Sequence, residues 1–582
     1  MITLAGIAYD DLSAYLTEKG SAPHGEQEAA LRGFMRVLER GLQGDLERCY
    51  YVLPLDPGMG KTRACISFVK AWRQAGYQPA SSILIGLSTL AELEKMINEM
   101  GLLSHEFGVF TSKDEMNVLG LPEDRHGEAR VLFTTQQMIR SRTKGRSFAD
   151  AAEFHYQGSP RALRLWDESI LPAAHVVMDR DTLSGMVRSF RKRLPAFANA
   201  LDTFAASMVA QNDGDVITVP DSLTLGPSSL QRAKASVETK GEKTLLENLQ
   251  QMIGCQMVLR DQPHAGTVLV GSTPVLPDDF APVVVVDASA RVRTAYQLWA
   301  EHRRNVAILP GAGHSFHNMT IHHWHRSSGK QALFSDLDRR EIAEGIAEAW
   351  RRDPKGKWLV VSYKDTLDPL KLAVKHAIGD EGAQLEWLHW GLHTSTNAFR
   401  DTDNIVIVGQ WTYPPATYEA IAMAASGLGP VEASSLNVRD VETGEHAHNL
   451  LQALCRASVR KSIRGGTARC NAFLITSLSD TETFLETLFP GHSYAKWREG
   501  SIASEAVGKA MELVDAHFAT TGPSPMKKKD LRDAVGIKDA SHFTRRVLQQ
   551  PAFLHFLASR QLESSGQAIK PVECAFDPID DD

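Results

Sequence analysis

The chain has 582 residues, 43% hydrophobic and 23% charged, with a net charge of −7. That is the composition of a soluble globular protein of roughly three or four domains. The apolar runs, such as "APVVVVDASA" at 281–290, are too short to cross a bilayer, and "MITLAGIAYDD" lacks the basic start of a signal peptide. Six cysteines at 49, 65, 255, 455, 470 and 574 form no CxxC pair, which argues against a disulfide framework or structural zinc and for a reducing, cytoplasmic setting.

Residues 1–50 read as helix, with Ala30, Leu31, Phe34 and Leu38 at helical spacing. From 51 to 170, strands and helices alternate: "CYYVLPL", "SSILIGL", "ARVLFTT" and "RALRLW" as strands, "KTRACISFVKAWRQA", "LAELEKMINEMG" and "QQMIRSR" as helices. Such alternation predicts an α/β fold with a parallel sheet covered on both faces. Residues 173–265 are helix-biased and read as a helical insertion. The end of the first domain and a link are expected over 266–330, with strands at "GTVLVGS" and "APVVVVDASA". A second alternating domain is expected over 331–478, with "KWLVVSYK", "AQLEWLHWG", "DNIVIVGQW" and "NAFLITS" as its strands. A helical module over 479–565 and an acidic tail over 566–582 follow. The last twelve residues carry five acids and no base, a composition expected to be disordered.

"LPLDPGMGKT" at 53–62 lies between an apolar strand and a helix. The phosphate-binding loop pattern G-x-x-x-x-G-K-[ST] uses backbone N–H groups to cradle phosphates, a Lys to reach the terminal ones and a hydroxyl to hold Mg²⁺. Gly60, Lys61 and Thr62 fit, with Pro57, Gly58 and Met59 ahead and Arg63 after, while Leu55 stands where the pattern has Gly. The helix N-terminus adds positive partial charge for phosphate. The loop therefore predicts ATP and Mg²⁺ as ligands. It also calls for an acid at the end of a neighbouring strand, and "ALRLWDES" supplies Asp167 for the metal and Glu168 as general base for the attacking water. Asp179 in "HVVMDRDT" is a competing candidate ranked lower, because no Glu follows it.

Taken together, these motifs resemble those of superfamily 2 helicases and translocases, the DEAD/DEAH-like ATPases with two RecA-like domains, over roughly residues 25–475. The chain looks like a divergent member, of the sort found in phage or mobile-element loci. The resemblance implies that Thr134, Thr135 and Gln136 in "VLFTTQQMI" face nucleic-acid phosphates or sugars, and that "VVVVDASA" couples hydrolysis to movement. It implies that Thr396, Asn397 and Asp401 sense nucleotide and strand, and that Gln27 reads adenine. "LLQALCRASVRKSIRGG" is similar to Gln-x-x-Gly-Arg-x-x-Arg: Gln452 and Arg456 fit, Cys455 replaces Gly, and Arg460 comes one residue late. Arg456 and Arg460, four apart on a helix, point the same way, so both could act as arginine fingers on the γ-phosphate.

The His-rich run with His314, His317, His322, His323 and His325 alternates as a strand, which splits the imidazoles between faces and favours a satisfied or exposed cluster over a metal site. Residues 526–546 carry seven Lys/Arg against three Asp. Two short helices joined by a Gly-containing turn there, the second bearing Ser541, His542, Thr544, Arg545 and Arg546, resemble a winged-helix or helix-turn-helix unit, with Lys527, Lys528 and Lys529 adding sequence-neutral attraction to phosphates. The expected function is an ATP-dependent helicase or translocase acting on DNA rather than RNA, with replication, repair or defence proteins as further partners and no membrane. Two alternatives are a nucleotide-gated DNA-binding or loading ATPase without strand separation, and a P-loop ATPase switch that does not act on nucleic acid.

Overall fold

The computed structural model describes residues 3–78, 81–262, 266–379, 384–393, 398–463, 466–477, 481–498, 505–550, 553–554, 556–557 and 560–572. Two parallel sheets organise the chain. The first has seven strands in the order Val306–Ile308, Tyr50–Leu53, Val283–Val286, Leu163–Asp167, Ile83–Leu87, Val131–Thr135 and Phe107–Phe110, every adjacent pair parallel. Two of its inner strands, Val283–Val286 and Ile83–Leu87, are apolar throughout, because helices cover both faces. The second sheet runs Leu385–His389, Trp358–Ser362, Asn404–Val408, Cys470–Thr476, Met319–His325 and Ser493–Lys496, again all parallel.

Met319–His325 lies inside the second sheet, bonded on both sides. The second body therefore takes in residues ahead of 331, where the alternation alone placed its start. The imidazoles of this stretch serve packing: His322 stacks on Phe473, while His323 is 3.1 Å from both the Tyr494 and Thr476 hydroxyls.

Between the first sheet's Leu163–Asp167 and Val283–Val286 strands sits the insertion. Besides helices such as Arg180–Phe190, Pro195–Ser207 and Lys240–Met252, it contains a four-stranded antiparallel sheet in the order Ala173–Asp179, Gly266–Pro274, Gln256–Gln262, Val216–Thr218. "GTVLVGS" thus belongs to the insertion's sheet and not to the first parallel sheet, since from Val268 on it pairs with Ala173–Asp179 and on its other side with Gln256–Gln262. Apolar side chains on one face, Val258, Val268 and Val270, pack on Ala416, Ala420 and Met423 of helix Pro415–Ser426, which is buried from Ala416 onward. Arg260 grips Glu419 of that helix with two bonds of 2.8 and 2.7 Å. The insertion leaves the first sheet in sequence but docks on the second body.

The C-terminal module runs helix Glu505–Thr521, strand Met526–Lys527, helix Lys528–Val535, helix Ala540–Phe543 continued by a wider turn over Thr544–Leu548, and the antiparallel pair Leu562–Ser565 and Ala568–Pro571. These elements pack around their own core, which includes Val514, Leu531, Phe543, Val547 and Ile569. Among the described residues no helix is long and apolar enough to cross a membrane. The acidic tail from 573 onward lies outside the described residues.

Candidate nucleotide site

Strand Tyr50–Leu53 delivers the loop 56–60 to the first turn of helix Lys61–Gln74. The sharp turn needs backbone in the left-handed region at two places, Gly58 (φ 88°) and Gly60 (φ 94°), where glycine alone is unstrained. Leu55, the departure from the usual pattern, is fully buried and bridges to Ala312, so it continues the strand into the sheet.

Each loop residue is braced from elsewhere in the chain. The Asp56 carboxylate, fully buried, accepts from the Arg291 guanidinium at 2.7 Å and the His314 N–H at 2.8 Å. His314 Nε2 lies 3.0 Å from the Pro57 carbonyl, which fixes its proton on that nitrogen. Gln27 donates to the Met59 carbonyl at 3.2 Å, so the expected adenine-reading residue touches the loop itself. Arg63 lies over the Tyr15 ring at 3.8 Å. Lys61 Nζ donates to the carbonyls of Leu55 (2.6 Å) and Asp56 (3.1 Å), which holds the ammonium over the loop. Burial lowers its pKa against the pull of Glu168.

Asp167 ends its strand beside the loop, and its carbonyl accepts from Gln136. Desolvation, and next the neighbouring Glu168, push the Asp167 pKa from 3.8 up to about 8. Glu168 is also raised, by burial and then by Asp287, and its backbone sits at φ 75°, a strained conformation for a residue with a Cβ. Asp287, in "VVVVDASA", is fully buried and accepts from Ser289 N–H (2.8 Å), Ser289 hydroxyl (2.7 Å) and Tyr296 hydroxyl (2.7 Å).

The second body closes the site. Helix Val438–Leu454 carries Gln452, whose carbonyl and side-chain oxygens accept from Arg456 at 3.1 and 2.7 Å. Burial, with Arg460 adding to it, lowers the Arg456 pKa to about 10. Arg460 reaches the loop: a Cβ on Gly58 would overlap the Arg460 carbonyl oxygen. Lys61, Asp167, Glu168, Arg456 and Arg460 thus act on one another electrostatically across the two bodies.

This arrangement fits a nucleoside triphosphate with Mg²⁺. The donor set, the Asp167 and Glu168 carboxylates and the exposed Thr62 hydroxyl at the helix start, is all oxygen, which suits a hard cation.

Other expected residues go elsewhere. Thr134 is fully buried and its hydroxyl donates to the Phe110 carbonyl at 2.6 Å, so it binds strand to strand and offers nothing to a polymer. Thr135 caps helix Gln136–Arg142, and half-buried Gln136 bonds inward to Ser88 and Asp167. Asp179 caps helix Arg180–Phe190 in the insertion, away from any metal role. Asp401 pairs with Lys461 at 2.5 Å; Thr396 and Asn397 lie outside the described residues. Lys527, Lys529 and Arg545 are exposed, Lys528 donates to the Gly566 carbonyl, and Arg546 is paired with Asp338 of the second body. Reading the sequence missed Asp56, Arg291 and His314 as braces. Their partners are about 235–258 residues apart in the chain and share no motif.

No family model matches the chain, and no curated protein matches it. Among solved structures it is similar to Xpd4 of S. tokodaii, at 13% identity over 80% of this chain and 99% of that one, with a TM-score of 0.43. It is similar to an XPD helicase at 12% identity over 81% of this chain and 99% of that one, TM-score 0.43. A third likeness is to the Mycobacterium smegmatis helicase Lhr bound to ssDNA and AMP-PNP, at 12% identity over 98% of this chain and 60% of that one, TM-score 0.35. The chain itself has two parallel sheets, with the loop at 56–60 at the end of a strand of the first, and Arg456 and Arg460 just past helix Val438–Leu454 in the second body.

Proposed function

We propose that the chain is an ATP-dependent nucleic-acid helicase or translocase, acting on DNA. The observation that carries this reading is the meeting of Lys61, Asp167 and Glu168 from the first body with Arg456 and Arg460 from the second. A site split between two bodies opens and closes with nucleotide, and that is what moving along a polymer requires.

Lys61 and the N–H groups of Gly58 to Thr62 would hold the terminal phosphates, releasing the loop carbonyls that the ammonium now occupies. Thr62 and Asp167 would hold Mg²⁺, which when bound neutralises phosphate charge and polarises the transferring group. Glu168, with its raised pKa, is suited to accept the proton of the attacking water at its carboxylate oxygen. Arg456 and Arg460 would stabilise charge developing on the transferring phosphoryl group. Preference for DNA rests on the exposed Lys527, Lys529 and Arg545 of the winged-helix-like module.

The test is ATP turnover with single-stranded DNA, duplex DNA, RNA and no polymer, followed by displacement from a tailed duplex. DNA-stimulated turnover with displacement is the expected result. Stimulation without displacement favours a nucleotide-gated loading ATPase, and turnover indifferent to every polymer would sink the nucleic-acid reading.

A further inference from the structure

A second group of buried charges joins the two bodies a short way from the phosphate-type loop. Arg293 donates to both Glu445 oxygens, at 2.5 and 3.0 Å, with side-chain exposures of 9% and 2%. Arg293 follows the loop that begins at Asp287; the N–H groups of Val292 and Arg293 both close on the Ser289 carbonyl at 3.0 Å, so Asp287, Ser289 and Arg293 form one stiff turn. Glu445 lies on helix Val438–Leu454, about two turns before Gln452 on the same face, and Arg456 follows just past the helix end, bonded back to Gln452.

The contact around the pair is close. A Cβ on Gly444 would stand 2.6 Å from the Thr294 nitrogen, so the helix backbone meets the turn directly, and the Thr294 hydroxyl donates to the Asp440 carbonyl at 2.8 Å. Asn449 is tied back to the Glu445 carbonyl at 2.8 Å and its oxygen lies 3.1 Å from His393 Nε2. The contacts therefore form a chain. It runs from Asp287 through the Ser289 turn to Arg293, across to Glu445, and along the helix to Gln452, which holds Arg456; the Asp287 and Arg456 charges both act on Glu168.

Resting on the nucleotide-hydrolysis reading above, we infer that Arg293 and Glu445 are a positioning pair: they touch no reacting atom, but they set where helix Val438–Leu454, with Arg456 just past its end, seats against the first body. A bidentate pair between two rigid elements fixes both distance and rotation, which a single contact does not. The pair bridges the bodies, so it exists only when they are closed. Removal of one partner then strands a charge and disfavours the closed geometry.

The experiment uses the full chain with ATP and a single-stranded oligonucleotide. Glu445→Gln and Arg293→Met should lower kcat by roughly 5- to 150-fold while the KM for ATP moves within about threefold, the range of a coupling effect. Arg293→Lys, which keeps the charge but loses the fork, should fall between Arg293→Met and the parent. Thermal melting of each variant checks that the folded fraction is retained. Parental kcat in Glu445→Gln, or a loss matched by an equal loss of folded protein with no ranking of Lys above Met, overturns the pairing. Lys61→Ala separates the two readings: if that variant keeps parental turnover, the nucleotide site itself is wrong, whereas its inactivity beside an unaffected Glu445→Gln rejects the positioning pair alone.

Discussion

Gly58 and Arg460 meet backbone to backbone: a methyl group on Gly58 would overlap the Arg460 carbonyl. The turn Ser458–Arg460 therefore closes directly on the phosphate-type loop, with no side chain between. Gly58→Ala adds that methyl group at φ 88°. It should destabilise the protein by roughly 1 kcal/mol or more through the backbone alone. It should also cut ATP turnover at least tenfold by holding the bodies apart, so melting temperature and turnover measured together check it. Turnover close to the parent's would mean that closure does not require this approach.

The raised carboxylates make stability depend on pH. Burial and the neighbouring Glu168 push the Asp167 pKa in the folded chain from the ordinary 3.8 up to about 8, and Glu168 is raised with it. The folded chain therefore binds more protons than the unfolded one between these values. The stability this contributes is full below about pH 4 and is lost as pH rises through 8. The groups facing Asp167 are Lys61, Glu168, Glu92 and Arg460. Asp167→Asn should flatten the fall in melting temperature between pH 5.5 and 8.5 and melt higher than the parent at pH 8.5 without nucleotide. A steeper fall in the variant contradicts the assignment.

Glu168→Gln would remove the proposed base but keep the shape. Turnover should drop by ~10²–10⁴-fold, the usual contribution of a positioned general base, while binding of a fluorescent nucleotide stays within about threefold. Loss of binding in parallel with turnover would reassign Glu168 to holding the ligand.

Arg456 makes two bonds to Gln452, whereas the Arg460 backbone closes on Gly58. Arg456→Ala and Arg460→Ala should each slow hydrolysis by at least ~10²-fold, toward the 10³–10⁵-fold of an arginine finger. Gln452→Ala should cost less, since it frees Arg456 without removing it. Single-turnover rates at saturating ATP rank the three.

Lys527, Lys529 and Arg545 are exposed on the C-terminal module. Replacing all three with Ala should weaken duplex DNA binding and reduce the slope of log affinity against log salt by about one for each phosphate no longer neutralised. Arg546 is a poorer target because Asp338, itself paired with Arg326, already engages it. An unchanged salt slope would leave the module without a role in binding.

The loop at 56–62, the Asp167–Glu168 strand end and the Gln452/Arg456/Arg460 cluster are legible in the sequence because each is contiguous and its chemistry fixes the residue types. The two parallel sheets are legible from runs such as Val283–Val286 and Asn404–Val408, apolar on both faces. Thr134 reads wrongly as polymer-facing because the sequence does not say which way a strand residue points, and here its hydroxyl bonds within the sheet. Gly266–Pro274 reads like any core strand, and only its pairing with Ala173–Asp179 places it in the insertion.

By itself, then, the sequence determined the local pieces: a phosphate-type loop, two adjacent acids, an arginine pair and an α/β alternation, each set by spacing within a few turns. Tertiary structure alone decided that Arg291 and His314 brace Asp56, that Arg460 closes on Gly58, that Arg293 meets Glu445, and that the insertion docks on the second body through Arg260 and Glu419. The reason is physical: these pairs are more than 150 residues apart in the chain, and buried charges find their partners through the packing of whole sheets and helices, which no local pattern records.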